Sequence, residues 1–308
     1  MRGLDISRSF YEEFGKPMIE RDFAEFADRI AVGLVGHGSE CFGYDDELSR
    51  DHDFSPGFCI WLTEEDEREF GFKLFRAYSK LPQEYMGIKL VEKSLAGNGF
   101  KGVSVISDFY RRYTGREGAP ESLSDWLYTP SHYLAEATNG EVFCDPLGEF
   151  SRIRQQIKSG MPEDVRLKKI ASCALHMAQT GQYNYSRCIA HGESGAARLA
   201  LSEFVRNSIE IIFLLNRVHM PYYKWAFRAM KDLKILGEEE KLLESLIDTP
   251  NGESKSICNG IEQFCAMVIS EIKKQNLSHI DADYLEPHAY AINDHIKDHG
   301  LRNLYVML

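Results

Sequence analysis

The sequence predicts a two-part protein, with a sheet-and-helix domain of the α/β or α+β class over residues 1–155 and an all-helical domain over residues 156–308. Three observations carry this expectation. Short β-branched runs alternate with amphipathic stretches up to about Arg152, the pattern of a layered sheet-and-helix domain. Beyond that point, stretches with helical spacing follow one another and no strand of comparable quality interrupts them. A chain of 308 residues with 44% hydrophobic content is also long enough to bury two cores.

The elements follow in order. Pro17 opens a helix over Met18–Arg29, with Met18, Ile19, Phe23, Phe26 and Ala27 on a 3.6-residue period. Ile30–Val35 reads as a buried strand that stops at Gly36. A glycine- and acid-rich loop leads to a second strand over His52–Leu62, interrupted by Pro56-Gly57. Thr63 caps a helix with Glu64, Glu65 and Asp66 in its first turn, running to about Lys80. Gly102–Ser107 and Glu141–Cys144 supply two more strands. The helical half reads as Glu163–Thr180, Ser194–His219, Tyr222–Leu236, Glu238–Ile247 and Ser256–Lys274.

Charge narrows the function classes. The formal net charge is -11, and the basic pairs Arg111-Arg112 and Lys168-Lys169 stand isolated, so there is no stripe to neutralise a long nucleic acid. A nucleotide or a tRNA end stays open. The N-terminus lacks a basic-then-apolar layout, and apolar runs such as Ile209–Leu215 are too short to span a bilayer. Seven cysteines without CxxC spacing read as reduced thiols. A cytoplasmic protein without a membrane partner is the expectation.

The chemistry concentrates in Gly36-His37-Gly38-Ser39-Glu40 and, further on, Arg50-Asp51-His52-Asp53. A strand ending in Gly-x-Gly-Ser presents unobstructed backbone N–H groups and one hydroxyl, which suits phosphate oxygens. Aspartates two apart on a strand face the same way, and the paired charge invites a hard divalent cation such as Mg²⁺. Each half alone is commonplace, since glycine-serine turns and capping aspartates abound. Their order and spacing after a strand make the combination informative.

Gly38-Ser39 followed by Asp51-x-Asp53 resembles the hallmark of the DNA polymerase β-like nucleotidyltransferase superfamily. The run GLVGHGSECFGYDDELSRDHDFSPGFCIWL, Gly33–Leu62, resembles the bacterial DUF4037 branch, as do KPMIERDF and DFYRRYTG. Tyr183-x-Tyr185-x-Arg187-Cys188, SEFVRNSIEIIFLLNR and Pro221-Tyr222-Tyr223-Lys224-Trp225 are similar to the helical domain of aminoglycoside-type nucleotidyltransferases. The resemblance implies a nucleotidyltransferase fold, an α+β domain whose mixed sheet has flanking helices, followed by the all-helical domain. It also implies ATP or another NTP, Mg²⁺, and transfer of a nucleoside monophosphate to an acceptor hydroxyl, most simply on a small molecule, with release of pyrophosphate. Carried over, Gly38 and Ser39 bind phosphates, and Asp51 and Asp53 hold metal and serve catalysis.

The superfamily's third carboxylate has no clear counterpart. The strand GVSVIS carries no acid, and Asp108 comes at its end, where it is either that carboxylate or a helix cap. Glu92, Glu193 and Glu203 are other sources. Arg50 either touches phosphate or pairs with Asp45, Asp46 or Glu47. Lys224 either lies along a helix surface or reaches a triphosphate. Tyr183, Tyr185 and Arg187 either line an acceptor pocket or pack between helices. His295 and His299 have one-face spacing on a helix, without the Glu of a HExxH motif. Two other functions fit the same residues: a nucleotide-binding regulatory protein with little turnover, and a toxin-like enzyme acting on tRNA or protein.

Overall fold

The computed structural model describes residues 2–46, 55–89 and 101–308, and the chain divides into two units, Met1–Gly160 and Met161–Leu308. Strands β1 (Ala31–Leu34) and β2 (Cys59–Leu62) are followed by a small hairpin, β3 (Glu84–Tyr85) and β4 (Ile88–Lys89), and then by β5 (Gly102–Val105) and β6 (Glu141–Cys144). The main sheet has the order β5-β2-β1-β6. β2 and β5 run parallel, whereas β1 is antiparallel to both of its neighbours, so the sheet is mixed and the first unit is α+β.

Both faces of this sheet are covered, which is why its central strands read as continuous apolar runs. Alternation along β2 sends Ile60 and Leu62 to one face, where they join Ile30, Val32, Phe10, Met18, Phe70 and Leu74. Trp61 goes to the other face, stacking on Phe150 at 3.8 Å and meeting Phe109 edge-on at 5.5 Å. The first layer is helical from Gly3 onward: α1 (Gly3–Phe10), a π-helical turn (Tyr11–Gly15), α2 (Lys16–Asp22) and a 3₁₀ segment (Ala24–Arg29). Helix therefore starts well before Pro17, not at it. The wide turn hydrogen-bonds Lys16 N–H to the Tyr11 carbonyl, five residues back, and the helix continues through Pro17, whose missing N–H falls in the first turn of α2.

After the glycine turn come α3 (Ser39–Phe42), then α4 (Glu64–Asp66), a second π-helical turn (Glu67–Gly71) and α5 (Phe72–Tyr78). Thr63 caps α4, accepting from the Asp66 N–H at 3.1 Å. β5 ends at Val105, and α6 (Ile106–Thr114) begins at once, so Ser107 belongs to a helix. α7 (Leu123–Tyr128), α8 (Ser131–Glu136) and α9 (Glu149–Ser159) complete the second layer. The unit boundary falls at Gly160, later than the sequence suggests, because α9 buries Phe150, Ile153 and Ile157 in the first unit.

The second unit is helical throughout its described length. α10 (Glu163–Met177) runs through a π-helical stretch (Ala178–Tyr185) into α11 (Ser186–Ala190). α12 (Ser194–Leu215), α13 (Tyr223–Met230), α14 (Glu240–Asp248), α15 (Ser254–Lys274), α16 (Leu285–Asp294) and α17 (His299–Asn303) follow. α10 packs on α12 and α16. Lys168 is not a surface charge: it is fully buried and donates to Asn293 Oδ1 and the Leu304 carbonyl, each at 2.8 Å. His295 caps the end of α16 and His299 begins α17, so the pair does not share a helix face. All seven cysteines are free thiols. Among the described residues no helix is long and apolar enough to cross a membrane.

Candidate functional site

Strand register gathers four chain segments at one end of the main sheet. Gly33 of β1 lies opposite Cys59, the first residue of β2, and Cys59 lies opposite Gly102, the first residue of β5. Leu34 lies opposite Glu141, the first residue of β6. The turn that leaves β1, Gly36–Ser39, therefore meets the segments that lead into β2, β5 and β6.

This turn is braced from several sides. Gly36 and Gly38 have φ of 132° and 119°, a region that only glycine occupies readily. Asn139 clamps Gly36, accepting its N–H at 2.9 Å and donating to its carbonyl at 2.6 Å. Gly140 N–H donates to the Cys41 carbonyl at 2.8 Å. Arg154 of α9 in turn donates to the carbonyls of Asn139 and Gly140, at 3.0 and 3.2 Å. Burial pulls its guanidinium below the usual arginine range. Tyr113, at the end of α6, hydrogen-bonds the His37 backbone, and burial, with Glu136 nearby, pushes its phenol up. The Cys41 thiol is also pushed well up, by burial first and by Glu40 second, so it is a core group and not a nucleophile.

Beneath the turn lies a buried ion pair. Glu40 and Lys101 are 6% and 9% exposed, with Nζ 3.3 Å from Glu40 Oε1. Lys101 also donates to the Ser55 carbonyl. In contrast, no hydrogen bond among the described residues uses the Gly38 and Ser39 N–H groups or the Ser39 hydroxyl. The arrangement is a braced turn whose donors no described residue takes up.

The expected site residues are distributed unevenly around it. Gly38 and Ser39 form the turn. Arg50, Asp51, Asp53 and Glu92 lie outside the described residues. Asp108 is not brought to the turn. It follows the C-terminal end of β5, at the opposite end of the sheet; there, in the first turn of α6, its half-exposed carboxylate pairs with Arg111 three residues on.

Lys224, Glu193 and Glu203 belong to the second unit. Lys224 is exposed and lies 4.3 Å from the centre of the Trp225 ring. Glu203 is held by Arg206 at 2.6 Å, which draws its carboxyl below the ordinary value. Glu193 precedes α12. Tyr183 and Arg187 stack on the surface while Tyr185 is buried, so the three do not line one pocket. Among the described residues no three histidine, cysteine or carboxylate side chains converge as a metal site.

Sequence reasoning names Glu40 without giving it a role, and misses Lys101, Tyr113, Asn139 and Arg154. Only Asn139-Gly140, a turn dipeptide just before a strand, carries a local signal.

Comparison with known proteins yields one family. A domain of unknown function, DUF4037, matches residues 126–226. The match covers about a third of the chain. It includes Asn139, Arg154 and Lys224 and begins after the glycine turn. Gly33–Leu62, which carries the resemblance to the same family, lies outside it, whereas Tyr183–Cys188 and Pro221–Trp225 lie inside. No curated protein matches the chain.

Proposed function

We propose that the protein is a Mg²⁺-dependent nucleotidyltransferase with the nucleotidyltransferase fold, moving a nucleoside monophosphate from an NTP, ATP first, to an acceptor hydroxyl. One observation supports this reading: Asn139 clamps the Gly36–Ser39 turn, while no hydrogen bond among the described residues uses the Gly38 and Ser39 N–H groups or the Ser39 hydroxyl. Gly38 and Ser39 N–H groups and the Ser39 hydroxyl would orient the phosphate oxygens. The chain comes back to this sheet end at Ser55, two residues after Asp53. Asp51 and Asp53 are the residues we assign to the metal, which when bound offsets charge on the transferring phosphates. The acceptor oxygen bonds to the α-phosphorus as pyrophosphate leaves.

A second reading, nucleotide binding without turnover, is favoured by the lack of an acid on β5 and by the position of Asp108 at the other end of the sheet. Calorimetry with ATP and Mg²⁺, run beside a pyrophosphate-release assay over a panel of hydroxyl acceptors, separates the two. Binding with release is expected, and Asp53→Asn should end release while thermal unfolding stays as in the parent. Binding without release over the whole panel favours the second reading. No binding at all removes both.

A further inference from the structure

We propose that Lys101 is a positioning residue that ties the glycine turn to the segment leading into β2. The role rests on the nucleotide reading for its functional consequence, though not for its geometry. Lys101 immediately precedes β5, yet its ammonium serves two other parts of the chain. It sits 3.3 Å from Glu40 Oε1 and donates to the Ser55 carbonyl. Glu40 Oε2 lies against Gly38, where an added Cβ would stand only 2.6 Å from it. The lysine stem runs past Gly57, whose N–H donates to Ser55 Oγ at 3.3 Å. One ammonium thus fixes residues 38–40 and 55–57 with respect to each other.

Stability alone is a poor account of this pair. Desolvating two charges costs as much as their attraction returns, so apolar side chains of similar size would hold the core equally well. Direct phosphate binding is also a poor account, because Nζ is directed at Glu40 and Ser55 and the side chain is buried. The pair does two things an apolar pair cannot. It cancels the Glu40 charge directly behind a turn proposed to receive phosphates, and it sets the distance from that turn to the segment after Asp53.

The test uses the full-length protein and two readouts. Hydrogen exchange without ligand follows Gly43 and Tyr44, whose N–H groups bond back to Glu40 and Ser39, and Gly57 and Phe58 on the other arm. Lys101→Met should speed exchange about tenfold or more on both arms. Glu40→Gln should speed it on the turn arm alone, because Lys101 still holds the Ser55 carbonyl. A residue that merely adds global stability would not divide the arms in this way. Calorimetry with ATP and Mg²⁺ should show affinity about tenfold weaker or worse in Lys101→Met. Should that variant fail to fold, the neutral pair Lys101→Met/Glu40→Gln replaces it, with loosening expected on both arms. Parental protection at Gly57 and Phe58 in Lys101→Met, or in the double variant that replaces it, overturns the proposal, as does equal loosening of both arms by Glu40→Gln. A parent that does not bind ATP removes the nucleotide reading, and the exchange pattern still decides the tie.

Discussion

Gly38 is the residue on which the turn depends most directly. A side chain there meets both a positive φ and the Glu40 carboxylate. Gly38→Ala should cost about 1–3 kcal/mol of stability and weaken ATP binding, read by thermal unfolding and calorimetry. Ser39→Ala separates the two effects. The hydroxyl bonds nothing in the described structure, so unfolding should be unchanged while affinity falls. Asp108→Asn should leave ATP binding at the parental level, because the residue sits at the far end of the sheet; a loss of binding would return it to the site. The turn at Gly38 and Ser39 was legible because a glycine turn after a strand is a local pattern. Asn139 and Lys101 were not. They act on residues about 100 and 60 positions away, and neither an amide nor a lysine has a period that announces such a partner.

At the scale of elements, burial was easier to read than allegiance. The strands at Ala31–Leu34 and Glu141–Cys144 stood out through β-branched and aromatic runs, and Thr63 announced its helix by its cap. α9 could not be assigned from its pattern, since an amphipathic helix before an all-helical unit looks like the first member of that unit. Its place is decided by the stack of Phe150 on Trp61. Phe150→Ala should therefore destabilise the first unit by about 3–5 kcal/mol in denaturant titration. In the second unit, Glu163 holds the buried Arg166 at 2.7 Å and Arg217 at 2.8 Å. Its hydrogen bond from Arg166 is the main reason its carboxyl falls from 4.5 to about 2. A carboxyl depressed by folding stabilises fully above its unfolded value and loses that contribution as pH drops towards the folded one. The gap in thermal midpoint between the parent and Glu163→Gln should close between about pH 4.5 and 2. It should be modest throughout, because the carboxylate is half exposed.

At the scale of the whole molecule, the two textures in the sequence correspond to two units with separate cores. Residues 161–308 expressed alone should unfold cooperatively and retain a helical circular dichroism spectrum; a non-cooperative transition would show that this unit needs its neighbour. A shared device recurs in both. Each has a π-helical turn containing a glycine against which a distant phenylalanine ring presses: Phe58 at Gly15 and Phe204 at Gly181, where an added Cβ would lie 2.4 and 2.3 Å from the ring. In a saturation library both positions should admit no second residue type, yet the two failures should differ in kind. Phe58 carries the carbonyl that receives the Gly102 N–H, one residue beyond Lys101. A methyl wedge at Gly15 would thus reach the strand that follows Lys101, and with it the proposed ATP binding, whereas the same wedge at Gly181 would be felt only as lost fold.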